Sequence, residues 1–288
     1  FARLNEQTQR WEDLGCINPT GHLSTLVPKE PQGQLYATGH ESSLCGYPAA
    51  NVYRYDGSSF HPWEPFQLIP WAEWTTIGFV FDFQGKTYMT GLFRDPLTEG
   101  YATMMRYNGQ AWEYVPGWNA ALPLKDISIR NDTLYVAGGF RMANGGPGNL
   151  VAYFDGQQWN NMGGGLSYPP ATSSAAALDL QWFRGELYAC GLFQEAGGVP
   201  VDGIAKWDGQ RWCGLPGDFH SQNFSNSTLR SMAVWRDSLY VAGGFQFVDG
   251  VPMREVVQWI GGDALGTCSA PVGVQAAVEE RFHAGPVP

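Results

Sequence analysis

Aromatic side chains next to carboxylates form the richest chemical cluster in the sequence. Residues 61–66 read His-Pro-Trp-Glu-Pro-Phe, and residues 71–74 read Trp-Ala-Glu-Trp. Flat aromatic rings beside carboxylates suit stacking against sugars, and aromatic-rich surfaces also suit protein partners. The competing interpretation is that several of these tryptophans pack inside the fold. The candidate ligand-binding residues are Trp63, Trp71, Trp118, Tyr168, Phe219 and His220.

Residues typical of catalysis and metal binding are sparse. The five histidines are scattered, and the sequence contains no HExxH, GxSxG, P-loop or CxxC motif. We therefore expect no metal and no cofactor. Glycoside cleavage needs two carboxylates about 5–10 Å apart, a distance that sequence does not reveal. The carboxylates available to such an enzyme are Glu64, Glu73, Asp95, Glu99 and Asp249.

The composition excludes several classes of protein. Of 288 residues, 15% are charged, 14% are aromatic, 37 are glycine and 19 are proline, and the formal net charge is −10. Disordered chains lack the aromatic and apolar residues that a core needs, and helical bundles contain less glycine and proline than this chain does. Nucleic-acid binders need a basic face. No apolar run approaches the ~18 residues of a membrane helix. The composition favours an all-β fold.

One strand motif occurs five times, with tyrosines spaced 52, 47, 53 and 52 residues apart. The copies are Leu35-Tyr36-Ala37-Thr38-Gly39, Thr87-Tyr88-Met89-Thr90-Gly91, Leu134-Tyr135-Val136-Ala137-Gly138, Leu187-Tyr188-Ala189-Cys190-Gly191 and Leu239-Tyr240-Val241-Ala242-Gly243. A second signature follows each copy: Tyr55-Asp56-Gly57, Tyr107-Asn108-Gly109, Phe154-Asp155-Gly156, Trp207-Asp208-Gly209 and a degraded Trp259-Ile260-Gly261. Two motifs with the same period indicate a repeat architecture.

Each repeat unit is predicted to form four short strands. Asp-Gly and Asn-Gly between apolar runs indicate tight hairpins, because both turn positions are expected to need positive φ. A four-stranded unit of about 50 residues, repeated, is typical of a kelch-type β-propeller. The prediction is a five-bladed β-propeller of four-stranded antiparallel blades over residues 1–263, followed by a linker and tail at 264–288.

The N-terminal segment is predicted to close the ring. Four blades have an aromatic fourth-strand anchor, but the fifth ends at Gly261-Gly262 without one. Residues 9–15, around Trp11, resemble the fourth strand around Trp212, so we expect them to complete the last blade. Closure would remove two open sheet edges. The alternative is a piece of a larger propeller in which Ala2-Arg3-Leu4-Asn5 is a third strand.

Strand topology separates the predicted blades into a hairpin side and a loop side. The first-to-second and third-to-fourth turns are tight and share one side. The second-to-third loops and the blade connections are long and share the other. Because binding residues concentrate on loops held by a rigid scaffold, any ligand site is expected on the loop side.

The five cysteines leave two disulfide hypotheses open. Cys16 follows the closing strand and Cys268 follows the last blade, so a Cys16–Cys268 bond would lock the seam. Cys16 with Cys45 is the rival pairing. Cys190 and Cys213 fall on strands and are interpreted as small buried fillers.

The tail and the repeat both resemble secreted proteins of Bacteroidetes. Arg281-Phe282-His283-Ala284-Gly285-Pro286-Val287-Pro288 resembles the start of a type IX secretion C-terminal sorting domain, an aromatic followed by a Pro-Asn-Pro-like turn, although the Asn is absent. The repeat, with segments such as 239–245 and 204–212, resembles kelch-like proteins of that class. The resemblance implies an extracellular or cell-surface protein with the secretion machinery as a partner. The alternative interpretation is that these last residues form an ordinary disordered terminus with no sorting role.

Two tripeptides fit the same resemblance. Asp132-Thr133-Leu134 and Asp237-Ser238-Leu239 resemble the O-glycosylation sequon of those bacteria, which makes Thr133 and Ser238 candidate modification sites. The competing interpretation is that Asp-Thr and Asp-Ser serve the hairpin turns themselves.

The leading functional hypothesis is a secreted, non-enzymatic binding module that recognises a glycan or an extracellular or outer-membrane protein through its loop side. The rival is a polysaccharide hydrolase or lyase with carboxylates at the mouth of the propeller channel. A third possibility is a structural surface or adhesin module. The acidic balance disfavours nucleic acid as a partner.

Overall fold

The computed structural model is built from β-strands throughout the part of the chain that it describes. Its described residues are 2–5, 7–13, 20–29, 34–43, 50–63, 75–94, 100–142, 148–169, 175–215, 217–221, 228–259 and 282–283. Among these residues, no helix has the length and apolar character needed to cross a membrane. The strands are short and antiparallel, and the fold is propeller-like, as the repeat predicts.

The chain divides into two compact units, Phe1–Pro123 and Leu124–Pro288. Unit 1 begins with a two-stranded hairpin, β1 (Ala2–Asn5) and β2 (Arg10–Asp13). Sheet 1 follows with β3 (Thr20–Lys29), β4 (Gln34–Ser43), β5 (Ala50–Tyr55) and β6 (Phe60–Pro62). Sheet 2 contains β7 (Thr75–Phe83), β8 (Lys86–Arg94), β9 (Tyr101–Tyr107) and β10 (Trp112–Tyr114).

Unit 2 holds three more four-stranded sheets and two smaller ones. Sheet 3 contains β11 (Leu124–Arg130), β12 (Thr133–Arg141), β13 (Asn149–Phe154) and β14 (Trp159–Asn160). Next come β15 (Leu166–Ser167), β16 (Ala176–Phe183), β17 (Glu186–Leu192), β18 (Glu195–Ala196), β19 (Val199–Pro200), β20 (Ile204–Trp207) and β21 (Trp212–Gly214). The last strands are β22 (Phe219–His220), β23 (Leu229–Trp235), β24 (Ser238–Gly243), β25 (Phe247–Val248), β26 (Val251–Pro252), β27 (Val256–Trp259) and β28 (Phe282–His283). Sheet 4 is β16-β17-β20-β21 and sheet 5 is β23-β24-β27-β28.

Sheet 5 differs from the predicted closure. Its fourth strand is β28, in which Phe282 pairs with Trp259, so part of the predicted tail joins the sheet. The segment predicted to fill that place, residues 9–15, instead places β2 against β1, with Leu4 opposite Trp11. Tyr107 and Trp112 oppose each other in the same way. The β1–β2 hairpin therefore pairs a third strand with a fourth strand, as the alternative interpretation predicts. A short turn joins the two strands, so β2 pairs with its neighbour in the chain.

The two kinds of hairpin turn obey different rules. Between first and second strands both turn residues have positive φ, as at Arg184 (47°) and Gly185 (89°), which is the predicted geometry. Between third and fourth strands only the glycine does. There the Asp208 carboxylate accepts the backbone N–H groups of Gln210 and Arg211, at 2.8 and 2.9 Å. The Asp-Gly signal thus found the hairpins, but through an Asx turn rather than two positive φ values.

In three of the sheets, the glycine that ends the repeat motif allows a close main-chain approach. A Cβ added at Gly191 would lie 2.1 Å from the Ala176 carbonyl oxygen, and one added at Gly243 would lie 2.5 Å from that of Thr228. These carbonyls belong to the chain entering the first strand of the same sheet. Only glycine fits against it there.

In unit 2 the sheets pack face to face through alternating side chains. From sheet 4, one face turns to sheet 3 through Leu187, Ala189, Ala205 and Trp207. The opposite face turns to sheet 5 through Tyr188, Cys190 and Ile204. Sheet 4 is therefore buried on both sides, which explains why its central strands are apolar at consecutive positions.

The outward face of sheet 5 is more open than its equivalents. Cross-strand pairs at one repeat position are fully buried in the other four sheets: Thr38 and Val52, Thr90 and Met104, Ala137 and Val151, and Cys190 and Ile204. The corresponding pair in sheet 5, Ala242 and Val256, is only half-buried. This face turns away from sheet 4.

Gly243→Ala should lower the free energy of unfolding by about 1–3 kcal/mol, because the new methyl group must displace the main chain at Thr228. Gly244→Ala is the matched control. Its nearest atom would be 4.0 Å away, so we expect a change within about 1 kcal/mol. Urea unfolding of both variants measures the difference. Equal destabilisation by the two substitutions would contradict the steric explanation.

Candidate functional site

The loop side of unit 2 is folded into two small three-stranded sheets. In each, a hairpin from the second-to-third loop pairs with the connection that precedes its own four-stranded sheet. β18 and β19 join β15, and β25 and β26 join β22. The main chain repeats as well: the N–H of Gln194 donates to the Ser167 carbonyl at 2.8 Å, and that of Gln246 to the His220 carbonyl at 2.9 Å. Within unit 2, the connections and loops thus share one side, as predicted.

His220 lies on β22, an edge strand of the second small sheet. Its ring is stacked on Phe247, with centroids 5.0 Å apart and planes inclined by 6°. Its Nδ1 atom lies 3.6 Å from the Asp218 carboxylate, and the side chain is 41% exposed. Nδ1 itself is buried and has no hydrogen bond within the described residues. The ring is therefore held by stacking while part of its edge faces solvent.

Three carboxylates lie beside this small sheet. Asp218 and Asp249 bracket each other: the Asp218 N–H donates to the Asp249 carboxylate, and the Asp249 N–H to the Asp218 carbonyl, both at 3.0 Å. Asp202 accepts the backbone N–H of Phe219. Burial raises the pKa of Asp202, and the nearby Asp218 raises it further. We call His220, Phe247, Asp202, Asp218 and Asp249 the His220 cluster.

The chemistry of the His220 cluster suits binding. It offers carboxylate acceptors, one imidazole edge and an aromatic support on a hydrogen-bonded backbone. The nearby Ser221 hydroxyl donates to the Gln246 side-chain oxygen at 3.5 Å. In the described part of the chain, no group of three or more His, Cys, Asp or Glu residues could hold a metal ion.

In unit 1, two predicted binding tryptophans are engaged in packing. Trp63 makes edge-to-face contacts with Tyr36 and Trp112, at centroid distances of 5.7 and 6.1 Å. The indole N–H of Trp118 donates to the Thr103 hydroxyl at 2.8 Å, and the side chain of Trp118 is half-exposed. These contacts fit the competing interpretation of the tryptophans as packing groups. Trp71 lies outside the described residues.

In unit 2, the other three candidates separate by burial. Phe219 is 2% exposed and packs edge-to-face on Phe245 at 5.2 Å, so its ring offers no stacking surface. Tyr168 is half-buried against the core between sheets 3 and 4. His220, next to Phe219 on β22, is the one that reaches a cluster of polar groups.

A carboxyl pair escaped the sequence-based prediction. Asp126 and Asp179 occupy the same position on the first strands of sheets 3 and 4, and their side chains are hydrogen-bonded to each other. Burial raises the pKa of Asp126 well above its usual range, and the neighbouring Asp179 raises it further. Their 53-residue separation equals the repeat period between Tyr135 and Tyr188. Aligning the repeats position by position would have revealed the pair.

The described cysteines correct one expectation. Cys190 is buried and free, as predicted for a filler. Cys213 is disulfide-bonded and only half-buried, so its interpretation as a buried filler is wrong. Because Cys190 is free, the Cys16–Cys268 bond remains possible only if Cys45 is the partner of Cys213. The three cysteines at 16, 45 and 268 lie outside the described residues.

Both predicted glycosylation residues lie at first hairpin turns and are half-buried. The Thr133 hydroxyl lies 3.3 Å from the Asn131 carbonyl oxygen, to which it donates. The Ser238 hydroxyl accepts a hydrogen bond from the Gln258 amide at 2.8 Å. Each hydroxyl thus has a local hydrogen-bonding role in its turn or sheet.

Comparison with known proteins assigns no family to the chain. No family model matches the chain, and no curated protein matches it. One solved structure, titled "Structure of YjhT", is similar at 15% sequence identity with a TM-score of 0.45. The match covers 85% of this chain and 82% of that one. A similarity at this level supports no statement about family or activity.

Phe219→Ala should lower the free energy of unfolding by about 3–5 kcal/mol, because it empties a core position beneath the His220 cluster. His220→Ala removes a half-exposed ring one residue away and should cost at most about 1 kcal/mol. Chemical denaturation of the two variants tests whether Phe219 supports the fold while His220 belongs to its surface. A larger loss for His220→Ala than for Phe219→Ala would reverse it.

Proposed function

We propose that the five four-stranded sheets are blades of a β-propeller closed into one ring, and that the protein is a non-enzymatic binding module. The repeat period and the face-to-face packing within unit 2 support the ring. The half-buried Ala242 and Val256 also support it, because ring closure would bury the face that carries them.

The observation that carries the binding proposal is the construction of the His220 cluster. His220 and Phe247 stand on a three-stranded sheet whose backbone is hydrogen-bonded, and Phe219 and Phe245 are buried beneath it. Such preorganisation reduces the entropy lost on binding, so a rigid polar surface can recognise a partner with few contacts. Asp218 is 73% exposed and available to a ligand donor.

The partner is proposed to be a glycan or an extracellular or outer-membrane protein. Carboxylates beside a stacked imidazole can accept hydrogen bonds from sugar hydroxyls. They can also pair with the cationic side chains of a protein. The packing of Trp63 and the burial of Phe219 remove two of the stacking surfaces that would favour sugar. With these two surfaces removed, the described residues favour a polar or basic protein surface over a glycan as the partner.

We also propose that the protein works outside the cytoplasm, as cargo of type IX secretion. The disulfide at Cys213 supports an oxidising compartment, because such bonds are rare in reducing ones. The pairing of Phe282 and His283 with sheet 5 gives that part of the tail a second, structural role. The sorting proposal thus stands on the sequence resemblance, and the surface or adhesin role remains a variant of the same binding proposal.

The polysaccharide hydrolase or lyase is the second candidate, and Asp126 with Asp179 is the observation in its favour. A carboxyl with a raised pKa is typical of a general acid. However, the two groups hydrogen-bond each other directly, whereas glycoside cleavage needs carboxylates about 5–10 Å apart. Both also accept backbone N–H groups. We therefore place binding first.

The loop-side proposal predicts selective loss of binding. A partner protein that co-purifies with the native chain, or a glycan found on an array, should bind His220→Ala combined with Asp218→Asn at least tenfold more weakly, equivalent to about 1.4 kcal/mol. His61→Ala is the control, since His61 has the same exposure and also pairs with a carboxylate, Asp56, but follows a hairpin turn.

The binding assay uses calorimetry on the purified full chain, and array and protein partners are assayed separately. Unchanged affinity in the double variant, or a loss confined to His61→Ala, would overturn the assignment to the loop side. Turnover of a polysaccharide that disappears in Asp126→Asn would instead favour the enzyme.

A further inference from the structure

We propose that Asp126 and Asp179 share one proton that holds sheets 3, 4 and 5 together, and that losing this proton loosens the seam between sheets 3 and 4. This role would be a pH-sensitive device built into unit 2. It is independent of the binding proposal and of any partner.

The pair forms a relay from one sheet to the next. Asp126, on β11 of sheet 3, accepts the backbone N–H of Leu180 on β16 of sheet 4 at 2.7 Å. Asp179, on β16, accepts the backbone N–H of Met232 on β23 of sheet 5. Each carboxyl thus links its own strand to the main chain of the following sheet by a hydrogen bond. The bond between the two carboxyls connects these two links.

The direct contact between the carboxyls requires a proton. Two carboxylates are both hydrogen-bond acceptors, so one must carry hydrogen for the two to bond. Like charges this close also cannot both be ionised without strong repulsion. When the shared proton leaves to solvent, the O–H···O bond is lost and two negative charges face each other across the seam. The repulsion acts directly on the packing of β11 against β16.

The surrounding groups offer no compensating cation. Lys125 and Arg230 are exposed neighbours on β11 and β23, and Arg130 lies over the Trp182 ring. Neither carboxylate has an ion pair with lysine or arginine among the described residues. On β17 the nearest titratable group is the buried thiol of Cys190. Burial raises its pKa, and the charges of Asp179 and Asp126 raise it further.

The direction of the pH dependence follows from linkage. Burial raises the pKa of Asp126, so the folded state keeps the proton to higher pH than the unfolded chain does. The stabilisation is complete below the usual carboxyl range, near pH 4. It is lost as the pH rises through the raised pKa of Asp126. Within that window the unfolding equilibrium constant should increase by up to about tenfold per pH unit.

Asp126→Asn tests the shared proton directly. The amide oxygen can accept the Leu180 N–H, and the amide nitrogen can donate to Asp179, so this variant imitates the protonated pair at every pH. We expect its unfolding constant to lack the pair's pH dependence in urea titrations of the full chain between about pH 4 and 8. It should also be smaller than the wild-type constant at neutral pH. Asp237→Asn, a substitution at an exposed hairpin turn, should keep the wild-type profile.

Labelling of Cys190 gives a local measurement of the seam. We expect the ratio of wild-type to Asp126→Asn labelling rates at Cys190, followed by mass spectrometry of its peptide, to rise with pH from near one in acid. The labelling rate of each urea-unfolded chain at the same pH corrects for the intrinsic reactivity of the thiol, because Asp126 also acts on the pKa of Cys190 in the folded protein. A constant ratio, or a wild-type pH dependence of unfolding retained by Asp126→Asn, would overturn the proposal.

If Asp126→Asn does not fold, carbon-13 NMR titration of the wild-type carboxyl groups decides the question. A carboxyl that titrates well above the usual range, and that shifts a second carboxyl with it, would support the shared proton. Ordinary, independent titration of every aspartate would refute it.

Discussion

The close main-chain approach at the motif glycines Gly91, Gly191 and Gly243 is the constraint on which the rest of the molecule depends. At that point the first strand has a bulge: the register shifts between Leu124 and Asp126 in sheet 3, and between Ala177 and Asp179 in sheet 4. A bulge re-aims the residue that follows it. The glycine therefore makes room for the bulge, and the bulge turns a carboxyl toward the next sheet.

The loop side of unit 2 both supports the core and presents a surface. Ala196 and Val248, from the second-to-third loops, are buried in the cores between the sheets, and Asp202 of one loop accepts the N–H of Phe219 in the next connection. These loops pair with the preceding connections, and their side chains vary between the two copies. Ser167 and Glu195 are hydrogen-bonded at 2.8 Å in the first small sheet, where His220 and Phe247 are stacked in the second. One backbone thus presents two different surfaces.

The strands, the hairpins and the loop side of unit 2 could be predicted because each depends on local sequence. The Leu-Tyr motif begins a short apolar run bounded by turn residues, which is typical of a buried strand, and glycines such as Gly185 adopt the positive φ of a tight turn. The pairing of β2 and of β28 could not be predicted, since it depends on which of two segments occupies the fourth position of sheet 5. Burial of Phe219 depends on Phe245 and Val248, and the Asp126–Asp179 contact joins two repeats, and no local pattern encodes such contacts.

The relay from Asp126 to Leu180 and from Asp179 to Met232 has a direction, because each tie runs from one sheet to the sheet that follows it in the chain. Coupling of this kind extends only to nearest neighbours, as in linear repeat arrays. Damage at one junction is then confined to that junction.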